Sequence, residues 1–295
     1  MLGQAPEIRR LRFEANGKRK SSSDYVKSPF RYPGGKFYAL RHIYPFIDCV
    51  PHDEYREPFV GGGTVFFAKD KATFNWINDL ESDLVTTYLA IQNPIHRDNL
   101  KLRLSVELAE RERHTEVKGM KVSTEEDIAF RTFYLNRTSY CGIIHKPAWG
   151  YEVTKSAPPS SWLQFIDQAG PKLQNVTITN SDFESVIAAP ASGNSVLMYL
   201  DPPYYHADQK RAYIKHFVKE DHDRLAKALK QTDFLFCLSY DDCEEIRALY
   251  SWAEIHELNW LYNTANKAGE ARKQGKELII TNYQVTRQSQ QSLEF

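Results

Sequence analysis

No stretch of this 295-residue chain is apolar over the roughly 20 positions that a membrane-spanning helix needs. The first residues carry Arg and Lys where a secretory signal would carry its apolar segment. Both observations point to a chain that works in the cytoplasm. Cysteine is scarce, with four residues at positions 49, 141, 237 and 243. That excludes a disulfide framework, and none of the four forms a metal-type pair with nearby histidines, so no metal is expected. Neither sign of charge is in excess, with 38 Lys and Arg against 38 Asp and Glu. Any contact with an anionic polymer must therefore come from local clusters. The length suits one large domain, or a domain carrying a sizeable insertion.

What the chain does contain is centred on Val196-Leu197-Met198-Tyr199-Leu200-Asp201-Pro202-Pro203-Tyr204-Tyr205. An apolar run of strand length ends on a carboxylate, two prolines and two aromatic rings. Neither proline can continue a central ladder, so the strand stops there. In open α/β sheets, ligands bind beyond the carboxyl ends of the strands, which is where Asp201 and Tyr204 fall. An ionised Asp offers only acceptors, and the carbonyl of Pro202 is another. Two adjacent acceptors suit the two donors of an –NH2 group, and an aromatic neighbour can stack on a flat heterocycle. The same four residues also fit a plain turn with packed rings, so the other motifs must decide.

Two glycine turns precede this strand. Phe30-Arg31-Tyr32-Pro33-Gly34-Gly35-Lys36 leads into an apolar-periodic segment over 37–46. Tyr55-Arg56-Glu57-Pro58-Phe59-Val60-Gly61-Gly62-Gly63-Thr64 opens a short apolar helix. A strand, a glycine turn and a helix make the first unit of a nucleotide-binding half-fold, and the next strand, 73–77, ends in Asn78-Asp79. An acid roughly 20 positions after the turn is where such folds hold ribose hydroxyls. The turn lacks the G-x-G-x-x-G of a dinucleotide site and no phosphate-gripping Lys-Ser/Thr follows it. A nucleoside ligand, with S-adenosylmethionine answering the description, is the better fit.

In content and order, these stretches resemble the DNA adenine N6-methyltransferases of the Dam type, an alpha-group family of amino-methyltransferases. The resemblance covers about 30 to 285. It implies an α/β, Rossmann-like methyltransferase sheet dependent on S-adenosylmethionine, interrupted by a mostly helical target-recognition subdomain. On that basis 1–26 is a basic tail, 27–83 and 172–288 form the catalytic domain, and 84–171 is the insertion. Residue by residue, the resemblance implies that Tyr32 and Phe183 flank the cofactor adenine and that Asp182 bonds its amine. Asp79 would hold the ribose. The turn with Glu57, Phe59, Gly61 and Gly63 would line the methionine part, and Lys36 would help close the site. Asp201, Pro202 and Tyr204 would receive an adenine flipped out of duplex DNA. Two departures from the family are Tyr32, where it often has Trp, and His145, which falls in the recognition region.

Helical periodicity is expected over 84–108 and 125–135, with a loop at Lys118-Gly119-Met120-Lys121. From 136 to 149, donors mix with aromatics, and Asn136, Arg137, Ser139 and Tyr140 are the expected DNA contacts. After Asp201 come a helix over 221–229, a strand over 234–239, a helix over 243–250 and a closing hairpin of strands over 255–261 and 278–285. Its long polar loop carries Lys267, Arg272 and Lys273, read as a clamp on DNA phosphates, with Arg211 and Lys215 serving the same end. Expected partners are duplex DNA and a cognate restriction endonuclease. Competing readings are cytosine N4 methylation, RNA adenine methylation, and a DNA- or cofactor-binding relative without turnover.

Overall fold

The computed structural model describes residues 26–206, 217–261 and 274–285. The basic tail, the stretch with Arg211 and Lys215, and the loop residues Lys267, Arg272 and Lys273 lie outside the described residues.

In chain order the elements are α1 (Leu40–Asp48), β1 (Glu54–Glu57), α2 (Thr64–Ala68), β2 (Phe74–Asn78), α3 (Ser82–Gln92), α4 (Pro94–Leu104), α5 (Arg111–Gly119), α6 (Glu125–Thr138) and α7 (Trp162–Leu173). They continue as β3 (Val176–Thr179), α8 (Phe183–Ala188), β4 (Val196–Leu200), α9 (Lys219–Gln231), β5 (Leu235–Asp241), α10 (Glu244–Leu249), β6 (Glu254–Leu261) and β7 (Gln274–Thr281). The strands form one sheet in the order β3-β2-β1-β4-β5-β7-β6. All neighbours are parallel except β7, which runs antiparallel to both β5 and β6. The sheet is open and mostly parallel, with one reversed strand beside its β6 edge. The expected α/β architecture is therefore present.

Strand patterning explains the layers. On β4, Leu197 and Tyr199 join an apolar cluster on one face of the sheet, while Val196, Met198 and Leu200 join a second on the other. Such a strand has no polar face, which is why it reads as a continuous apolar run. The first cluster packs α1, α2 and the helices inserted between β2 and β3. The second packs α8, α9 and α10. The inserted helices contribute Tyr88, Phe133 and Trp162 to the same cluster as Tyr55 of β1. They share the main core and do not carry a separate one.

Local signals set the helix ends. The single apolar stripe expected over 84–108 is split into α3 and α4, because the Asn93 side chain caps α4 and Pro94 occupies its first turn. At α6 the Thr124 hydroxyl accepts from the Asp127 N–H, three acids fill the first turn, and Arg137 sits in the last. Helix α5 runs through Lys118 and Gly119, where a loop was expected. It is too polar to show a stripe and buries only His114 and Val117. Strand β7 begins at Gln274, four residues before the expected Leu278, so the loop it closes is shorter than the sequence suggested. Among the described residues, no helix is long and apolar enough to cross a membrane.

One buried ion pair ties the sheet to its surroundings. Arg56 of β1 is 0% exposed; its Nε donates to Glu54 Oε1 at 2.7 Å. Its other nitrogens donate to the carbonyls of Val186, Ala189 and Pro190 at 2.7–2.8 Å. The guanidinium also lies between the rings of Trp76 and Phe234, 5.2 and 4.8 Å from their centroids. Glu54 spends its second oxygen on the N–H groups of Ser192 and Gly193. Removing one member of such a pair strands the other in the core. Arg56→Leu is therefore expected to destabilise the protein by about 3–5 kcal/mol. Urea unfolding checks this; a loss below 1 kcal/mol would show that the pair is dispensable.

Candidate active site

The order of strands reverses between β1 and β4, the point at which open α/β sheets present a crevice. Here the crevice has a volume of about 770 Å³. Tyr32, Lys36, Glu57, Phe59, Gly61, Gly63, Asp79, Asp182, Phe183, Asp201, Pro202 and Tyr204 all line it. The twelve residues singled out from the sequence for cofactor and catalysis thus meet in one cleft.

The glycine turn after β1 is shaped by its neighbours. Gly61 and Gly63 have φ of +47° and +67°, a region that favours glycine. A Cβ on Gly62 would lie 2.9 Å from the Tyr32 Cβ, so Tyr32 presses directly on the turn. Asp79, at the end of β2, accepts from the Gly61 N–H at 2.7 Å and from the Glu81 N–H at 2.9 Å. The Tyr88 hydroxyl donates to the Gly61 carbonyl at 2.8 Å. Asn78 knots the strand ends together: its amide nitrogen donates to Pro58 and Ser181 carbonyls, and its oxygen accepts from the Thr179 hydroxyl and the Ser181 N–H.

Beyond β4 lies the Asp-Pro-Pro-Tyr turn. Lys36 Nζ is 2.7 Å from Asp201 Oδ1, donates to the Gly34 carbonyl at 3.2 Å, and lies 4.8 Å from the Tyr204 ring centroid. The Tyr204 hydroxyl donates to Glu277 Oε2 of β7 at 2.8 Å. Asp241, at the end of β5, accepts from the N–H groups of Tyr205 and His206 and so fixes the chain after the motif. Burial lowers the Lys36 ammonium, but the charges of Asp201 and Glu277 outweigh it and hold the group above its usual range. Burial pushes the Asp201 carboxyl up, against the opposing pull of Lys36.

Toward the opposite wall, Phe59, Phe183 and Phe217 form a triangle of rings with centroids 5.4–5.7 Å apart. Arg224 lies over Phe183 and pairs with Asp182, Glu184 and Asp221. Sequence reading had not given roles to Phe217, Arg224 and Glu277. Phe217 and Arg224 sit in an ordinary amphipathic context, and Glu277 lies in a strand whose neighbours are apolar, so only the fold reveals where they face. Seven carboxylates line the cleft (Glu57, Asp79, Glu81, Asp182, Asp201, Asp221 and Glu277), against the cations Lys36 and Arg224. Burial raises Glu57, Asp79, Glu81 and Asp201, and a ligand carrying positive charge would relieve that cost, so the cleft favours one.

The expected DNA contacts need correction. Asn136 is 0% exposed, bonding both the N–H and carbonyl of Arg31 and the carbonyl of Gly142. Arg137 is buried; it donates to the Pro29 carbonyl and lies 4.2 Å from the Phe165 ring centroid. Ser139 is also buried. Side chains so enclosed cannot reach a base edge or a phosphate. Asn136 and Arg137 brace the segment that carries Tyr32 and Lys36. Of the four, only Tyr140 is exposed, at 65%. The polar mixture that suggested an interface is instead an internal network, in which Asn136 is fully bonded while Arg137 Nε and Ser139 Oγ have no hydrogen-bond partner among the described residues.

Glu57 carries a pH signature. Burial, aided by the nearby Asp201 charge, pushes its carboxyl up to about 8 even though the Tyr55 hydroxyl donates to it at 2.6 Å. An unfolded Glu titrates near about 4.3. Between these values the folded state binds more protons than the unfolded one, so this group makes stability fall as pH rises and has no further effect above about 8. Glu57→Gln should flatten the decline by up to about 1.4 kcal/mol per pH unit within that window. Unfolding free energies from pH 5 to 9 check this, and parallel profiles for variant and parent would refute it.

Comparison with known proteins agrees with this geometry. Residues 32–264 match the family described as D12 class N6 adenine-specific DNA methyltransferase. The type II methyltransferase M1.LlaDCHI of Lactococcus lactis subsp. cremoris is 28% identical over 287 residues, covering 86% of this chain and 95% of that protein. The type II methyltransferase M.CviBI of Paramecium bursaria Chlorella virus NC1A is 26% identical over 269 residues, covering 88% of this chain and all of that protein. A DNA adenine methylase of Vibrio cholerae is 24% identical over 268 residues, covering 84% of this chain and 93% of the methylase. The cleft, the sheet order and the matched length lead to one conclusion: the chain belongs to the D12 class of N6 adenine-specific DNA methyltransferases.

Proposed function

We propose that this enzyme takes the methyl group from S-adenosylmethionine and places it on N6 of an adenine rotated out of duplex DNA. The observation that carries this reading is the meeting of Asp201, Tyr204 and the glycine turn in one acid-lined cleft. S-adenosylmethionine supplies a methyl group made electrophilic by its sulfonium charge. The chemistry of the lining fits that group: a cationic ligand meets acidic groups, and the Gly61–Gly63 turn, with Tyr32 packed against it, forms part of the wall. Tyr32, the Phe183 wall and Asp182 suit the adenosine part, Asp79 the ribose, and Glu57 the cationic end.

An amine buried in a base pair can be reached only after the base leaves the stack. Tyr204 then offers a ring to stack on, while Asp201 and the Pro202 carbonyl accept from N6 and orient its lone pair. Adenine N6 has very low proton affinity, so Asp201 acts as an orienting acceptor and need not remove a proton before attack. The Asp201 carboxylate would stabilise the positive charge that N6 acquires as it takes the methyl group, and the surplus proton would then pass from N6 to Asp201 or to water. Alignment and fixed charge account for most of the acceleration.

Target recognition is assigned to the inserted helices and the segment after α6, where Tyr140 and Lys146 are exposed. The type II names of the relatives support a partnership with a restriction endonuclease of the same recognition sequence.

Isotope-labelled S-adenosylmethionine, unmethylated duplex DNA and nucleoside mass spectrometry test the reading. Labelled N6-methyladenine is expected. Asp201→Ala should lower the rate by about 10³-fold or more while leaving cofactor affinity within a few-fold of the parent. Labelled N4-methylcytosine would change the base. Bound cofactor with no label on any duplex would favour a non-catalytic relative.

A further inference from the structure

Glu277 is almost fully buried, 4% exposed, in strand β7 opposite Asp241 of β5. A carboxylate in such a place costs free energy unless it is paired and hydrogen-bonded. Its oxygen Oε2 accepts from the Tyr204 hydroxyl at 2.8 Å, and the Lys36 ammonium supports its charge. The same Tyr204 hydroxyl also acts on Asp201, helping to hold its carboxyl down against the effect of burial. A phenol has one proton to donate, and here two carboxylates compete for it.

Which carboxylate wins matters to Asp201. Its Oδ1 faces Lys36 at 2.7 Å, and Lys36 also lies 4.8 Å from the Tyr204 ring centroid. The ammonium therefore occupies the two contacts, carboxylate and ring face, that the proposed reaction gives to the substrate amine and base. When a base enters, Lys36 must give up both. Asp201 then keeps its acceptor capacity for the amine only if the Tyr204 proton is directed elsewhere.

We propose that Glu277 is a positioning residue for methyl transfer: by taking the Tyr204 hydroxyl proton, it holds the stacking ring and keeps Asp201 free to accept from the target amine. This inference rests on the reading of Asp201 and Tyr204 given above. In this arrangement Glu277 acts through Tyr204. A glutamine at 277 is nearly isosteric but has no charge, and its amide can donate to the phenol oxygen. The Tyr204 proton then turns to Asp201 and occupies the acceptor. Charge-assisted hydrogen bonds are roughly twice as strong as neutral ones, so the exchange is weighted heavily toward Asp201.

The test is single-turnover methylation of duplex DNA by the full-length protein and three variants: Glu277→Gln, Tyr204→Phe and the two combined. Glu277→Gln is expected to lower the rate about 10-fold or more, with S-adenosylmethionine affinity and thermal midpoint close to the parent. In the double variant no hydroxyl is left to occupy Asp201, so the glutamine should cost nothing further and the rate should equal that of Tyr204→Phe alone. A merely structural glutamate would give additive losses instead. A Glu277→Gln rate within 2-fold of the parent, or additive losses in the double variant, would overturn the proposal. If the parent itself transfers no methyl group to DNA, the proposed function fails first, and with it the premise of this inference.

Discussion

One ammonium sits at the meeting point of the three segments that build the cleft. Lys36 comes from the segment before α1, Asp201 from the end of β4 and Glu277 from β7, and the cation is held by the charges of the other two. Without it, the carboxylates at the strand ends would face one another in a region of low polarity, where like charges repel strongly. Burial alone would drive Lys36 toward neutrality, yet its acidic neighbours keep it charged. The site is thus organised around an electrostatic balance that is met internally in the free protein and must be re-met when a cationic ligand and a base arrive.

That balance depends on backbone parts that carry no reacting group. The segment with Tyr32 and Lys36 lies outside the regular sheet and helices, so something else must fix it. Asn136 does so by bonding Arg31 on both its N–H and its carbonyl, and Arg137 adds a bond to Pro29. Gly142 completes the clamp: a Cβ there would sit 2.4 Å from the Arg31 carbonyl oxygen. The end of α6 and the turn after it therefore belong mechanically to the catalytic cleft, although they lie in the inserted helices. A segment that ties the inserted helices to the residues before Lys36 is well placed to couple the two.

Much of this was legible in the amino-acid sequence, for physical reasons that differ by residue. Asp201 and Tyr204 could be read because two prolines end an apolar strand abruptly, and Asp79 because an acid follows a glycine turn at nucleotide-site spacing. The sheet was readable because strands buried on both faces have unmistakable apolar runs, as in β4. Helix α5 was not, because nine mostly polar residues that bury only His114 and Val117 leave no periodic signal. Nor was the burial of Asn136, Arg137 and Ser139, since a polar side chain looks alike in sequence whether it faces DNA or a carbonyl 105 positions away.

Glu277 shows most clearly what the fold adds. In sequence it is one acid at the start of Glu277-Leu278-Ile279-Ile280, and alternation within a strand says only that it faces the same side as Ile279. Its importance comes from topology. Strand β7 enters the sheet antiparallel between β5 and β6, and so brings its early residues, not its late ones, to the edge where the parallel strands end. A parallel β7 would have placed Glu277 toward the opposite edge, far from Tyr204. The single reversed strand in this sheet therefore delivers a buried carboxylate to the Tyr204 hydroxyl.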